Sequence, residues 1–316
     1  MARLHVVTGK GGTGKTTVAA AMALALAEQG KRILLVEVEG RQGLAQLFDV
    51  PPLPYVERRI AHGPAGGEVF ALAVDAEAAL LEYLDMYYHL GRAGKALEKV
   101  GAIDFVTTIA PGLRDVLLTG KVYEATRRKV HGKLAYDAVV VDAPPTGRIA
   151  PFLNVNTEVA GLAKVGPIRN QADAIMGMLR SDITRIHLVT LLEEMPVQET
   201  LDAVGQLEAL DLRIGSIVVN MVRNSPLDDD ALALAVKEKL PAAELTRGLK
   251  AAGLTIGDDL VQTLASEAHD HAIRVGLERE NRDRIDALGK QVTELTLQPD
   301  GIDQGTLIDL AEEFRA

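Results

Sequence analysis

The strongest constraint on the fold of this chain lies in its first forty residues. Leu4 to Thr8 is a short apolar strand, broken by the glycine-rich run Gly9 to Gly14. From Thr16 to Gln29 the sequence is a good helix former, and Gly30 supplies the residue that favours a left-handed cap. Ile33 to Val38 is a near-continuous aliphatic run, the pattern of a strand buried on both faces. Strand, glycine turn, helix and strand make a βαβ unit, whose crossover is right-handed and whose strands are parallel. The buried-strand pattern recurs at Ala138 to Val141, Ile186 to Leu191 and Ile214 to Val219, and more weakly at Phe70 to Val74. The expected fold class is therefore α/β, a mostly parallel sheet flanked by helices.

Two long segments between these strands carry helical rather than strand patterning. The first, at about 75–130, places Leu80, Leu84, Tyr87 and Tyr88 at helical spacing. The second, at about 226–288, mixes charge with Leu232, Val236, Leu240, Leu249, Leu260 and Leu264. Pro51 to Pro54 is too short for a linker and reads as an ordered turn. With 316 residues and a 47% hydrophobic fraction, the chain can fill one large α/β core. The expectation is a single domain over 1–316 with two helical insertions.

The turn residues Gly9-Lys10-Gly11-Gly12-Thr13-Gly14-Lys15-Thr16-Thr17 satisfy the phosphate-loop pattern G-x-x-x-x-G-K-[ST]. Glycines let successive backbone N–H groups turn inward as an anion nest, and the following helix adds its positive end. Lys15 can reach the β- and γ-phosphates, and the Thr16 hydroxyl can ligate Mg²⁺. The second strand ends Val36-Glu37-Val38-Glu39, so Glu37 and Glu39 face the same way at the carboxyl edge of the sheet, where ligands of open parallel sheets bind. One carboxylate there can hold a Mg²⁺-bound water, and the other, Glu39, can orient the attacking water. Asp142 ends an aliphatic strand in the position that bonds Mg²⁺ through water or the Thr16 hydroxyl. Asn220 ends the Ile214 strand with an amide that offers both donor and acceptor. No N-K-x-D guanine motif is visible, which favours ATP as the nucleotide.

Together these features resemble the deviant Walker A class of P-loop ATPases, in the branch of the arsenical-pump and tail-anchored-protein targeting ATPases, over nearly the whole chain. Lys10 resembles the signature lysine of that class, which implies a residue that crosses a dimer interface to the partner's phosphates. Asp142-Ala143-Pro144-Pro145-Thr146-Gly147 looks like the switch II loop of the branch, and Asn220 occupies the position implied to bond adenine. Met195-Pro196-Val197-Gln198-Glu199-Thr200 resembles the helix start that follows a strand there. The runs LLVEVEGRQGLAQLFDVPPLPY and TTIAPGLRDVLLTGK are similar to the actinobacterial ATPases of the branch. The resemblance implies ATP and Mg²⁺ as cofactors, catalysis by Lys10, Lys15, Glu39 and Asp142, and a dimer that ATP closes and hydrolysis reopens. Members usually carry Asp where this chain has Glu37 and Glu39.

Three functions follow as alternatives. One is a dimeric switch that guides or chaperones a hydrophobic client protein, with Tyr83, Met86, Tyr87 and Tyr88 as groove or local core. Another is an assembly subunit of low turnover, heterodimeric with a paralogous ATPase. The third, a positioning ATPase on DNA or membrane, wants a basic surface, whereas 34 Lys and Arg stand against 44 Asp and Glu. The charge balance thus argues against nucleic acid and docking to anionic lipid, and the apolar stretch Val18 to Ala27 is too short for direct membrane insertion. The chain has no cysteine, which excludes thiolate zinc, iron–sulfur and thiol-ligated metalloid sites. His269 and His271 read as surface residues, and the whole chain reads as cytoplasmic.

Overall fold

The computed structural model describes residues 2–28, 30–63, 66–88, 111–155 and 167–314. The first βαβ unit is β1 (Leu4–Gly9), α1 (Lys15–Leu26) and β2 (Arg32–Glu37). A short α2 (Gly43–Leu47) leads to β3 (Arg58–His62) and β4 (Glu68–Ala73), then α3 (Ala76–Tyr88) and α4 (Pro111–Arg127). After the small hairpin β5 (Lys129–Val130) and β6 (Lys133–Leu134) come β7 (Ala138–Asp142), α5 (Thr146–Leu153) and α6 (Pro167–Leu179). The chain continues through β8 (Thr184–Thr190), α7 (Glu194–Ala209) and β9 (Ile214–Val222) into α8 (Asp229–Val236), α9 (Ala242–Ala251) and α10 (Asp258–Asp286). It closes with β10 (Val292–Thr296) and α11 (Gln304–Glu313).

Eight strands form one sheet in the order β10-β9-β8-β1-β7-β2-β4-β3. Every neighbouring pair is parallel except β3 with β4. All six strands expected from the aliphatic runs are present, including the weaker one, now β4. The two additional strands, β3 and β10, form the sheet edges.

Alternation along the strands sends side chains into two cores. Leu4, Val6, Leu34, Val36, Val139 and Val141 pack on one face with Val116, Ile149, Phe152 and Ile175 from the flanking helices. Val7, Ile33, Leu35 and Val140 pack on the other with α1 and α11. Helix α1 is buried around much of its circumference, as Ala19, Ala20, Ala21 and Ala23 are wholly covered. Small side chains allow that close approach on both sides, and an amphipathic stripe is not needed.

Both segments expected as insertions contain helices. In the first, α3 and α4 pack together, with Leu80 buried, while 89–110 and the side chains of Tyr83, Leu84, Met86, Tyr87 and Tyr88 lie outside the described residues. In the second, Leu232, Ala235 and Ala272 make a satellite cluster with Leu240 packed on it. Helix α9 buries no side chain. No helix among the described residues is long and apolar enough to cross a membrane.

Candidate active site

The site is assembled where three neighbouring parallel strands end. Register pairs Val7 with Asp142 and Glu37 with Asp142, so the ends of β1, β7 and β2 are level. The phosphate loop begins at the last residue of β1. Gly9 is required there because a Cβ would stand 2.2 Å from the Val189 carbonyl oxygen of β8. Gly12 and Gly14 take φ of 90° and 85°, the left-handed region glycine enters without strain. Gly11 and Gly12 face open space, and Thr13 closes the turn by donating its hydroxyl to the Lys10 carbonyl at 2.8 Å.

Lys15 opens α1 and is buried, whereas Thr16 and Thr17 beside it are only partly so. The Thr16 hydroxyl donates to Asp142 Oδ2 at 2.7 Å. Asp142 Oδ1 and Glu37 Oε1 are both buried without a partner, and Glu37 Oε2 accepts the Leu44 N–H at 3.2 Å. Burial raises the Asp142 pKa from 3.8 to about 6, opposed by the Thr16 bond and by Lys15, and reinforced by Glu37 and Glu39. Two desolvated carboxylate oxygens beside a hydroxyl form a hard, anionic donor set of the kind a divalent magnesium ion satisfies. Among the described residues no cluster of three or more acidic or histidine side chains could hold a metal alone. The donor chemistry of Thr16, Asp142 and Glu37 therefore fits Mg²⁺, which these residues would hold in part.

Glu39 lies beyond β2, with Arg41 3.8 Å away. Asn220 Nδ2 donates to the Thr13 carbonyl at 2.9 Å, and a Cβ on Gly14 would meet that nitrogen at 2.4 Å. Asn220 thus braces the phosphate loop from β9.

Lys10 turns back within its own chain. Its Nζ sits 2.6 Å from Glu199 Oε1 on α7, while the Thr146 hydroxyl donates to Glu199 Oε2 at 2.8 Å. Thr8 Oγ1 donates to the Pro144 carbonyl at 2.6 Å, so the loop after Asp142 is stitched to β1 as well. Glu199 lies inside the helix-start segment noted in the sequence, without an assigned role there. Its signal is topological, because β8 adjoins β1 and α7 follows β8. His269 and His271 serve α10 as hydrogen-bonding side chains: His269 Nδ1 lies 2.9 Å from the Ala235 carbonyl, and His271 Nε2 is 2.9 Å from Ser225 Oγ.

Residues 2–183 match the family described as anion-transporting ATPase. The chain is 54% identical over 315 residues to the ATPase BagA of Mycobacterium tuberculosis, covering 99% of this chain and 92% of that protein. It is 29% identical over 266 residues to an arsenical pump-driving ATPase of Escherichia coli, covering 77% of this chain but only 44% of that one. With ATPase GET3 of Kluyveromyces lactis, identity is 26% over 258 residues, covering 71% of this chain and 73% of the relative. A phosphate loop, a hydroxyl–carboxylate pair and this degree of relationship lead to one assignment: the chain belongs to the anion-transporting ATPase family and is an ATPase.

Proposed function

We propose that the protein is a Mg²⁺-ATP-dependent dimeric switch that guides or chaperones client proteins. The observation that carries this reading is the Thr16–Asp142 contact at the start of a loop that is tied onward to the helices. Asp142 opens the loop, and Thr146 at its far end begins α5. Arg148 of α5 pairs with Asp115 of α4 at 3.6 Å, and α4 packs on α3. Rearrangement of the loop around a γ-phosphate thereby reaches the first insertion by direct contact. Lys15 holds phosphate, Thr16, Asp142 and Glu37 hold Mg²⁺ in part through water, Glu39 orients the attacking water, and Lys10 reaches the phosphates of a second subunit. Asn220 supports adenine from the same strand end that braces Thr13. The client docks on the helical insertions.

A second reading, a low-turnover assembly subunit paired with a paralogue, draws on Glu39, whose longer side chain lies toward Arg41. Lys15→Ala is expected to lower ATP turnover by at least about 100-fold, as loss of a charge-stabilising group does. Glu39→Gln is expected to slow hydrolysis while light scattering still finds an ATP-dependent dimer. Equal turnover of native and Glu39→Gln protein favours the assembly reading instead. Unchanged ATP binding and hydrolysis in Lys15→Ala overturn both.

A further inference from the structure

Three distant segments meet at a single carboxylate. Glu199 uses Oε1 for Lys10 of the phosphate loop, and Oε2 for Thr146 of the loop that follows Asp142. The two side chains in the ion pair are about one-third exposed, at 30% for Lys10 and 34% for Glu199. The helix beneath the carboxylate is firmly held. Val197 is fully buried, Thr200 is 1% exposed with its hydroxyl bonded to the Pro196 carbonyl, and α7 packs against α5. A fixed helix therefore presents one charge to two loops, and Lys10 and Thr146 together hold that charge below the usual carboxylate range.

An ammonium seated on Glu199 cannot serve a phosphate at the same time. A triphosphate carries more charge than one carboxylate and accepts charge-assisted hydrogen bonds strongly, so it competes for Lys10. Once Lys10 leaves, Glu199 keeps the neutral Thr146 hydroxyl of this pair but no longer ties the phosphate loop to the loop after Asp142. We propose that Glu199 is a positioning residue that holds Lys10 and the Asp142–Thr146 loop together in the isolated subunit, and that the two are uncoupled when Lys10 leaves it for the phosphates of a second copy of this chain. The hand-over to a second copy rests on the dimeric-switch reading above. The joint restraint of the two loops does not.

Two measurements on the full chain separate these layers. In nucleotide-free protein, hydrogen exchange at residues 146–149 is expected to quicken in Glu199→Ala, with Glu199→Gln intermediate because it keeps one acceptor. In the presence of ATP and Mg²⁺, sedimentation is expected to show Glu199→Ala associating at about 5-fold lower protein concentration than native, the scale of a partly exposed ion pair. That shift disappears in a Lys10→Ala background. Unchanged exchange in Glu199→Ala overturns the restraint, and an association shift that survives Lys10→Ala overturns the hand-over. If native protein does not associate with ATP, the dimer reading and the hand-over both fall, and the exchange measurement alone decides the restraint.

Discussion

Asp142 faces the phosphate loop with one oxygen unpartnered and a pKa displaced upward to about 6 by burial. Its folded value lies above the unfolded one, so between about pH 4 and pH 6 the native state binds more protons, and stability falls as pH rises. The buried pair His5 and His187 has the reverse sign. Their ring nitrogens lie 3.0 Å apart, His187 Nδ1 is 2.8 Å from Ser216 Oγ, and burial lowers the two pKa values to about 4 and about 3. The unfolded chain binds those protons first, so this contribution is complete above pH 6.5 and lost as pH falls through about 4. Two imidazoles against one carboxylate leave a net gain on raising the pH from 4 to 6. Asp142→Asn is expected to raise the melting temperature of nucleotide-free protein at pH 8, by roughly 2–4 °C for each kcal/mol of desolvation relieved. The same change should remove Mg²⁺-dependent turnover. His187→Gln is expected to flatten the loss of stability between pH 6.5 and 4, read as the urea midpoint against pH.

At the scale of elements, β9 reaches across to the phosphate loop through one side chain, Asn220. Asn220→Ala leaves the buried Thr13 carbonyl without this partner and is expected to cost about 1–3 kcal/mol, measured by urea unfolding. Gly14→Ala places a Cβ 2.4 Å from the same amide at a φ of 85°, and is expected to abolish detectable nucleotide binding in calorimetry. The glycine spacing and the aliphatic runs of β1, β2, β7, β8 and β9 were readable in the sequence because those strands are covered on both faces. β3, with the sequence Arg58-Arg59-Ile60-Ala61-His62, and β10, with Val292-Thr293-Glu294-Leu295-Thr296, lie on the edges. Half-exposed strands tolerate charge, which erases the pattern that marks a buried one. The carboxyl-edge placement of Glu37 and Asp142 followed from their positions at the ends of aliphatic runs. The Lys10–Glu199 pairing joins residues far apart in the chain and depends on the strand order, which no local pattern encodes.

Across the whole molecule, burial is concentrated in the sheet and its two flanking layers, and falls away toward α9. That helix touches α10 and buries no side chain, and Leu254 just beyond it is 54% exposed. Replacing residues 241–256 by a short flexible linker is therefore expected to change the melting temperature by under about 3 °C and leave basal ATP turnover intact. A large drop in either would place α9 in the folding core. Helix α11 behaves in the opposite way. Leu307, Leu310 and Ala311 share the core that covers α1, and Gln304 donates to the Phe48 carbonyl at 3.2 Å. During synthesis, then, the helix that carries Lys15 emerges long before α11, which covers its alanine face. A ribosome stalled anywhere between them holds a nascent chain whose phosphate loop is already written but whose apolar support is still open to solvent, and to chaperones.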